Sequence, residues 1–239
     1  MGQCRTATGS VILNLIFAAA LLSRAASAAV TDLPVDQRLD AVRPALEAAV
    51  ARAADAGVPV QPVIDKIREG LAKGVAAPAI RDATSREVAM LIDAQQFVAA
   101  HRPGVPAFPL VRAIALARER GVAPGDLQSL VESLEPAALA TRAVEATTDL
   151  FTHEYPLRPA AASVLALAQR EPAAIPRLLA GLEAIRAEKK STAASALDAL
   201  NRHGADNDSF ETIVTRILQE PPPTAPPPRA KRRRHRAAD

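Results

Sequence analysis

The chain has 239 residues, room for one or two domains, and 54 of them are Ala, with 3% aromatic residues, no Trp and one Cys. An Ala- and Leu-rich chain poor in aromatic residues favours helices and argues against an all-β or doubly wound α/β protein, and one Cys excludes an internal disulfide. The net charge of +3 hides a division: residues 1–28 carry two Arg and no acid, residues 221–239 carry six Lys or Arg against one Asp, and the stretch between is net −4, the asymmetry of a basic tail on a mildly acidic body.

Residues 1–28 read as a secretory signal peptide. Arg5 charges the first segment, Val11 to Leu22 is apolar but for Asn14, and Ala26-Ser27-Ala28 supplies the small residues of a cleavage site. The apolar run is too short for a bilayer, which needs about 20 residues. Met1-Gly2-Gln3-Cys4 fits a lipidation pattern, but the export run that follows overrides it. Cleavage after Ala28 leaves a mature chain with no Cys, exported to the periplasm or the medium, with no membrane anchor.

A helix is expected over residues 36–54, kinked or broken at Pro44 and ended by Gly57. An internal repeat follows. Gly57-Val58-Pro59 recurs 47 residues later as Gly104-Val105-Pro106, and Gly74-Val75-Ala76 as Gly121-Val122-Ala123. A weaker third copy starts at Leu157-Arg158-Pro159, 50 residues on from the second, and loses its closing Gly at Glu171-Pro172. A period in the forties built of helix pairs is that of a helical-hairpin array.

In each unit Pro62 or Pro109 starts the first helix. Ile64, Ile67 and Leu71 line its inner face in the first copy; Val111, Ala113, Ile114 and Ala117 do so in the second. Pro78 opens a second helix that runs to His101, with Ile80, Thr84, Val88, Leu91, Ile92, Gln95 and Val98 on one face. The second copy has a short helix with Leu127, Leu130, Val131 and Leu134, then another from Pro136 to Thr152. Helices follow at 159–170, 173–188 and 191–203. Asp208 and Glu211 resemble a capping box for a last helix carrying Ile213, Val214, Ile217 and Leu218.

The fold expected for residues 29–219 is therefore all-α: about nine helices in stacked antiparallel hairpins, a short α-solenoid or a bundle. Residues 220–239 read as a disordered tail, in which Pro221–Pro228 is an extended spacer. The spacer leads to Arg229, Lys231, Arg232, Arg233, Arg234 and Arg236, whose like charges repel.

No residue pattern points to catalysis. The four His, at 101, 153, 203 and 235, have no partner at metal-ligand spacing. Asp206-Asn207-Asp208 lacks the Gly and the closing Glu of a calcium loop. No cofactor and no metal are implied. The sharpest polar pattern is Lys66, Glu69 and Lys73, at i, i+3 and i+7 on one helical face, with Gly70 beside them. Glu69 and Lys73 are oriented for an ion pair, and Gly70 costs about 1 kcal/mol of helix propensity relative to Ala, which close approach of a neighbouring helix offsets. The face is a candidate partner contact, and the second copy does not repeat its charges.

The segment from Gly57-Val58-Pro59 through Pro62-Val63-Ile64-Asp65-Lys66-Ile67-Arg68-Glu69-Gly70-Leu71-Ala72-Lys73-Gly74-Val75 resembles secreted helical-repeat proteins of Gram-negative bacteria to which no activity is assigned. The resemblance implies export and a helical fold and transfers no functional residue.

The expected role is a non-catalytic extracytoplasmic interaction or scaffold module. Its tail cations would meet an anionic envelope component or an acidic protein. A small-molecule or peptide carrier with a groove between hairpins is the alternative, and an enzyme stands third. Nucleic acid is disfavoured by export and by the acidic body.

Overall fold

A computed structural model describes residues 33–102, 104, 107–204 and 208–220. The expected signal peptide and the tail cations lie outside these residues. The described residues are all-α, with ten α-helices and no strand among them. The chain divides into two compact units between Pro176 and Arg177, within the stretch 29–219 that the sequence reading treats as one repeat domain.

The first unit holds α1 (Arg43–Asp55), α2 (Gln61–Ala72), α3 (Ala77–His101), α4 (Phe108–Glu119), α5 (Pro124–Ser133), α6 (Ala137–Thr152) and α7 (Leu157–Arg170). Pro44, Pro62, Pro78, Pro109 and Pro124 each occupy the first or second position of a helix, none of which has a side-chain cap. A residue with no N–H and a fixed φ begins a helix at no hydrogen-bond cost. The helix expected over 36–54 is corrected on this ground. Of the kink and the break expected at Pro44, the break forms: Pro44 lies in the first turn of α1, and a separate 3-10 turn, Gln37–Leu39, precedes it.

The repeat is carried in the backbone. Gly57, Gly74, Gly104 and Gly121 all have positive φ, from 67° to 118°, which L residues with a Cβ disfavour. The amide of Val75 bonds the carbonyl of Gly70, and 47 residues on Val122 bonds Ala117, each at 2.9 Å. These are the six-to-one bonds that close a helix on a left-handed residue. From Gln61 to Ala72 and from Phe108 to Glu119 the helices keep that same offset.

Helix α3 lies against α1, α2, α4 and α5; α4 also meets α5 and α6, and α7 meets α5 and α6. The buried interior includes Val63, Ile64, Ile67, Val88, Leu91 and Val98, then Val111, Ile114, Leu127, Leu130 and Val144, each stabilising by about 1.5–3 kcal/mol. Leu71, Ile92 and Gln95, expected inside, are only half-buried. Gln95 instead donates from Nε2 to the carbonyl of Ala56 at 2.6 Å, tying α3 to the end of α1. The counterpart of α3 in the second copy is broken between α5 and α6, where Pro136 interrupts the helix.

The second unit holds α8 (Leu178–Lys189), α9 (Ala193–His203) and α10 (Phe210–Gln219), each packed on the other two. Its interior is Leu178, Leu182, Ile185, Leu197, Phe210 and Ile213. A helix is expected over 173–188, but Pro172–Arg177 is 3-10, with Pro176 inside it, and α8 starts only at Leu178. The expected cap is also corrected. Ser209, not Asp208, caps α10, its Oγ accepting from the Thr212 amide at 3.3 Å. Asp208 pairs with Arg216, and Glu211 with Arg177.

Candidate functional site: a groove along the second and third helices

The inner face of α2 packs Val63, Ile64 and Ile67 into the core, so helical periodicity turns Lys66, Glu69 and Lys73 outward. Glu69 accepts a short hydrogen bond from Lys73 Nζ. That bond, the Lys73 charge and then the Lys66 charge hold the Glu69 carboxyl below the usual carboxylate range. The pair is solvent-screened and adds little to the fold.

This ridge overlooks two depressions that share Lys66 and Glu69. One, of about 160 Å³, is apolar: Gly70, Val75, Ala79, Ile80 and Ala83 line it. A Cβ on Gly70 would stand 2.8 Å from Ile80 Cγ1, so the missing side chain is what lets α2 approach α3 here. The other, of about 230 Å³, is charged and aromatic. Pro62 and Asp65 border it from α2, Glu87 and Leu91 from α3, Phe108 and Arg112 from α4. Since Gly70 meets Ile80 while Pro62 shares a cleft with Leu91, the two helices run antiparallel. The depressions follow one another along their seam, with Lys66 and Glu69 bordering both, and the groove is the two together. From Ala79 to Leu91 it extends about 18 Å at the helical rise.

The polar groups of the groove differ in their commitments. Glu69 and Lys73 bind each other, and Asp65 accepts from Gln61 and Arg68. Lys66, Glu87 and Arg112 make no hydrogen bond or ion pair among the described residues. They converge on the groove from three different helices.

The sequence pattern found the ridge and missed the opposite wall. A usable signal lay in the repeat register. Asp65 and Arg112 are 47 residues apart, so they occupy equal positions on the first helices of two copies, and both line the cleft. Glu87, Leu91 and Phe108 needed the packing of α4 on α3.

Other polar clusters serve the fold. Arg102 follows α3 and donates to the carbonyls of Val131 (3.0 Å) and Leu134 (2.7 Å) at the end of α5. His101 Nδ1 lies 2.9 Å from Glu132. His153 ends α6, and His203 pairs with Glu220 at 3.1 Å. A further depression, lined by Glu211, Thr212, Thr215, Arg216 and Gln219, is bordered by α10 alone. Among the described residues, no group of three or more His, Cys, Asp or Glu could hold a metal ion, and no helix is long and apolar enough to cross a membrane. Arg229, Lys231, Arg232, Arg233, Arg234 and Arg236 lie outside the described residues.

Comparison of the chain with protein-family models, with curated proteins and with solved structures finds no match in any of the three.

Proposed function

We propose that the protein is an exported, non-catalytic interaction module, a helical body that presents its cationic C-terminal sequence to an anionic envelope component or an acidic protein. The observation that carries this reading is how the chain leaves its last helix. Glu220, the final described residue, is held twice: its backbone oxygen accepts from Lys189 Nζ of α8, and its carboxylate pairs with His203 of α9. Lys189 also donates to the carbonyl of Leu218 at 2.8 Å. The sequence that departs from this anchored residue carries six cations against one acid. Near an anionic membrane surface each is worth about 1 kcal/mol.

The test is flotation with vesicles of phosphatidylglycerol and phosphatidylcholine, using the full chain and the chain ended at Glu220. The full chain is expected to float with anionic vesicles at low salt and to be released as salt screens the charges. The shortened chain is expected to stay at the bottom while keeping its helical circular dichroism. Equal flotation of both chains removes the tail from the reading. Recovery of an unprocessed chain from the cytoplasm of bacterial cells removes the export.

A further inference from the structure

We propose that the groove between α2 and α3 is a binding site for the C-terminal end of an extended apolar peptide, with the terminal carboxylate received by Lys66 and Arg112. The proposal does not rest on the cationic tail.

The chemistry of the two ends sets the ligand. The end at Val75, Ala79, Ile80 and Ala83 offers apolar surface and little else. The end at Phe108 and Leu91 is lined by three carboxylates, Asp65, Glu69 and Glu87, and two cations, Lys66 and Arg112. With Arg68 on Asp65 and Lys73 on Glu69, four cations face three carboxylates, and a ligand bearing one carboxylate neutralises the surplus. Arg112 suits a carboxylate further, because a guanidinium donates two parallel hydrogen bonds to it. Half-buried Glu87 has no hydrogen-bond donor among the described residues, and the backbone N–H beside a peptide's terminal carboxylate supplies one. A fatty acid carries no such donor. At about 3.3 Å per extended residue, an 18 Å groove takes about five or six residues.

The molecule's own repeat indicates that this seam is one that gets covered. Val75 is 40% exposed, whereas Val122, its counterpart in the second copy, is 2% exposed. Asp126, the counterpart of the groove residue Ala79, is engaged by Arg158 of α7 at 3.1 Å. In the second copy the break before α6 accompanies packing of α7 directly on α5. Uninterrupted α3 leaves the equivalent strip open, with apolar side chains on its floor.

The experiment is fluorescence anisotropy of the full chain with a labelled hexapeptide, Ala-Leu-Val-Ala-Val-Leu, as free acid and as C-terminal amide, with decanoate as competitor. The free acid is expected to bind at least tenfold more tightly than the amide. Arg112→Gln is expected to abolish that difference, and Ala79→Asp to weaken both peptides; both positions face solvent, and thermal melts confirm folding. Equal binding of acid and amide overturns carboxylate recognition. Binding untouched by both substitutions, or none by either peptide, overturns the site. Displacement by decanoate as effective as by unlabelled peptide overturns the peptide in favour of a carboxylate amphiphile.

Discussion

Glu154 holds at φ +67° the left-handed turn that Gly57 holds at φ +74°. The likeness extends to the neighbours. Val58 and Tyr155 follow, both buried, with amides that bond the carbonyls of Ala53 (2.9 Å) and Leu150 (3.0 Å), and Pro59 and Pro156 come next. The third copy of the repeat therefore opens at Glu154-Tyr155-Pro156, 50 residues after Gly104-Val105-Pro106. The backbone makes the same turn there without a glycine.

A left-handed conformation costs a residue with a Cβ about 1–2 kcal/mol. Lys190, at φ +48°, closes α8 in the same way, and the Ser191 amide bonds Arg186 at 3.1 Å. Relief of this strain exceeds the extra chain entropy that a glycine brings to the unfolded state, about 0.4–1 kcal/mol. Lys190→Gly is expected to raise stability by about 0.5–1 kcal/mol, read as a higher urea midpoint with an unchanged slope. A fall in midpoint would mean that the lysine stem contributes more packing than its backbone costs.

The 47-residue repeat, its helix-starting prolines and its inner faces were legible because each depends on residues near in sequence. Gly74 and Gly121 advertise their own φ, and Ile64 and Ile67 their own face. Glu154 does not, since Glu has no preference for the left-handed region that would mark it. The 3-10 stretch at Pro172–Arg177 was hidden for a related reason: Ala173, Ala174 and Ile175 suit a helix, and Pro176 alone argues otherwise. In the groove, Lys66, Glu69 and Lys73 were legible from spacing within one helix. Glu87 and Arg112 were not, because two further helices had to be placed before they met.

Arg102 is expected to clamp the first unit. Its side chain is 14% exposed and supplies the hydrogen bonds of two carbonyls at the end of α5, besides pairing with Glu135. Its cation also lies at the negative end of that helix. Arg102→Met keeps much of the stem and removes the donors, leaving Val131 and Leu134 short of a partner. The expected loss is about 2–3 kcal/mol, measured by denaturant unfolding followed by helical circular dichroism. A loss below about 0.5 kcal/mol, the low end for a single hydrogen bond, would show that water replaces the guanidinium without penalty.

Glu132 is expected to titrate below the ordinary carboxylate range. The Gln128 side-chain hydrogen bond is the larger cause and the His101 contact the next. A folded value below the unfolded one means that the folded chain binds its proton less readily. The contribution is thus present at neutral pH and is lost as pH falls through the folded value. Carbon-detected NMR titration of the Glu132 carboxyl is the check. Gln128→Ala and His101→Ala should each move its midpoint up towards the unfolded value. An unmoved midpoint in Gln128→Ala would remove the amide as a cause of the shift.

Three glycines within helices separate helix propensity from packing, because replacement by Ala gains about 1 kcal/mol of propensity at each interior position. At Gly125 in α5 nothing lies within 4 Å of an added Cβ, so Gly125→Ala is expected to stabilise, by somewhat less than that amount near the helix end. At Gly181 in α8 the added carbon would stand 2.7 Å from Cζ of Phe210 and 3.2 Å from a methyl of Val214. Phe210 is buried, its ring has no flexible end to swing aside, and overpacking costs about 1–3 kcal/mol. Gly181→Ala is therefore expected to destabilise by about 1–2 kcal/mol net. Gly70→Ala meets Ile80 at 2.8 Å and is expected to fall on the same side, with a smaller loss because the apolar depression beside Ile80 gives its side chain room to turn. Thermal unfolding of the three variants tests the order. A stabilised Gly181→Ala would mean that α8 and α10 separate readily enough for propensity to win, and the packing of the second unit would have to be redrawn.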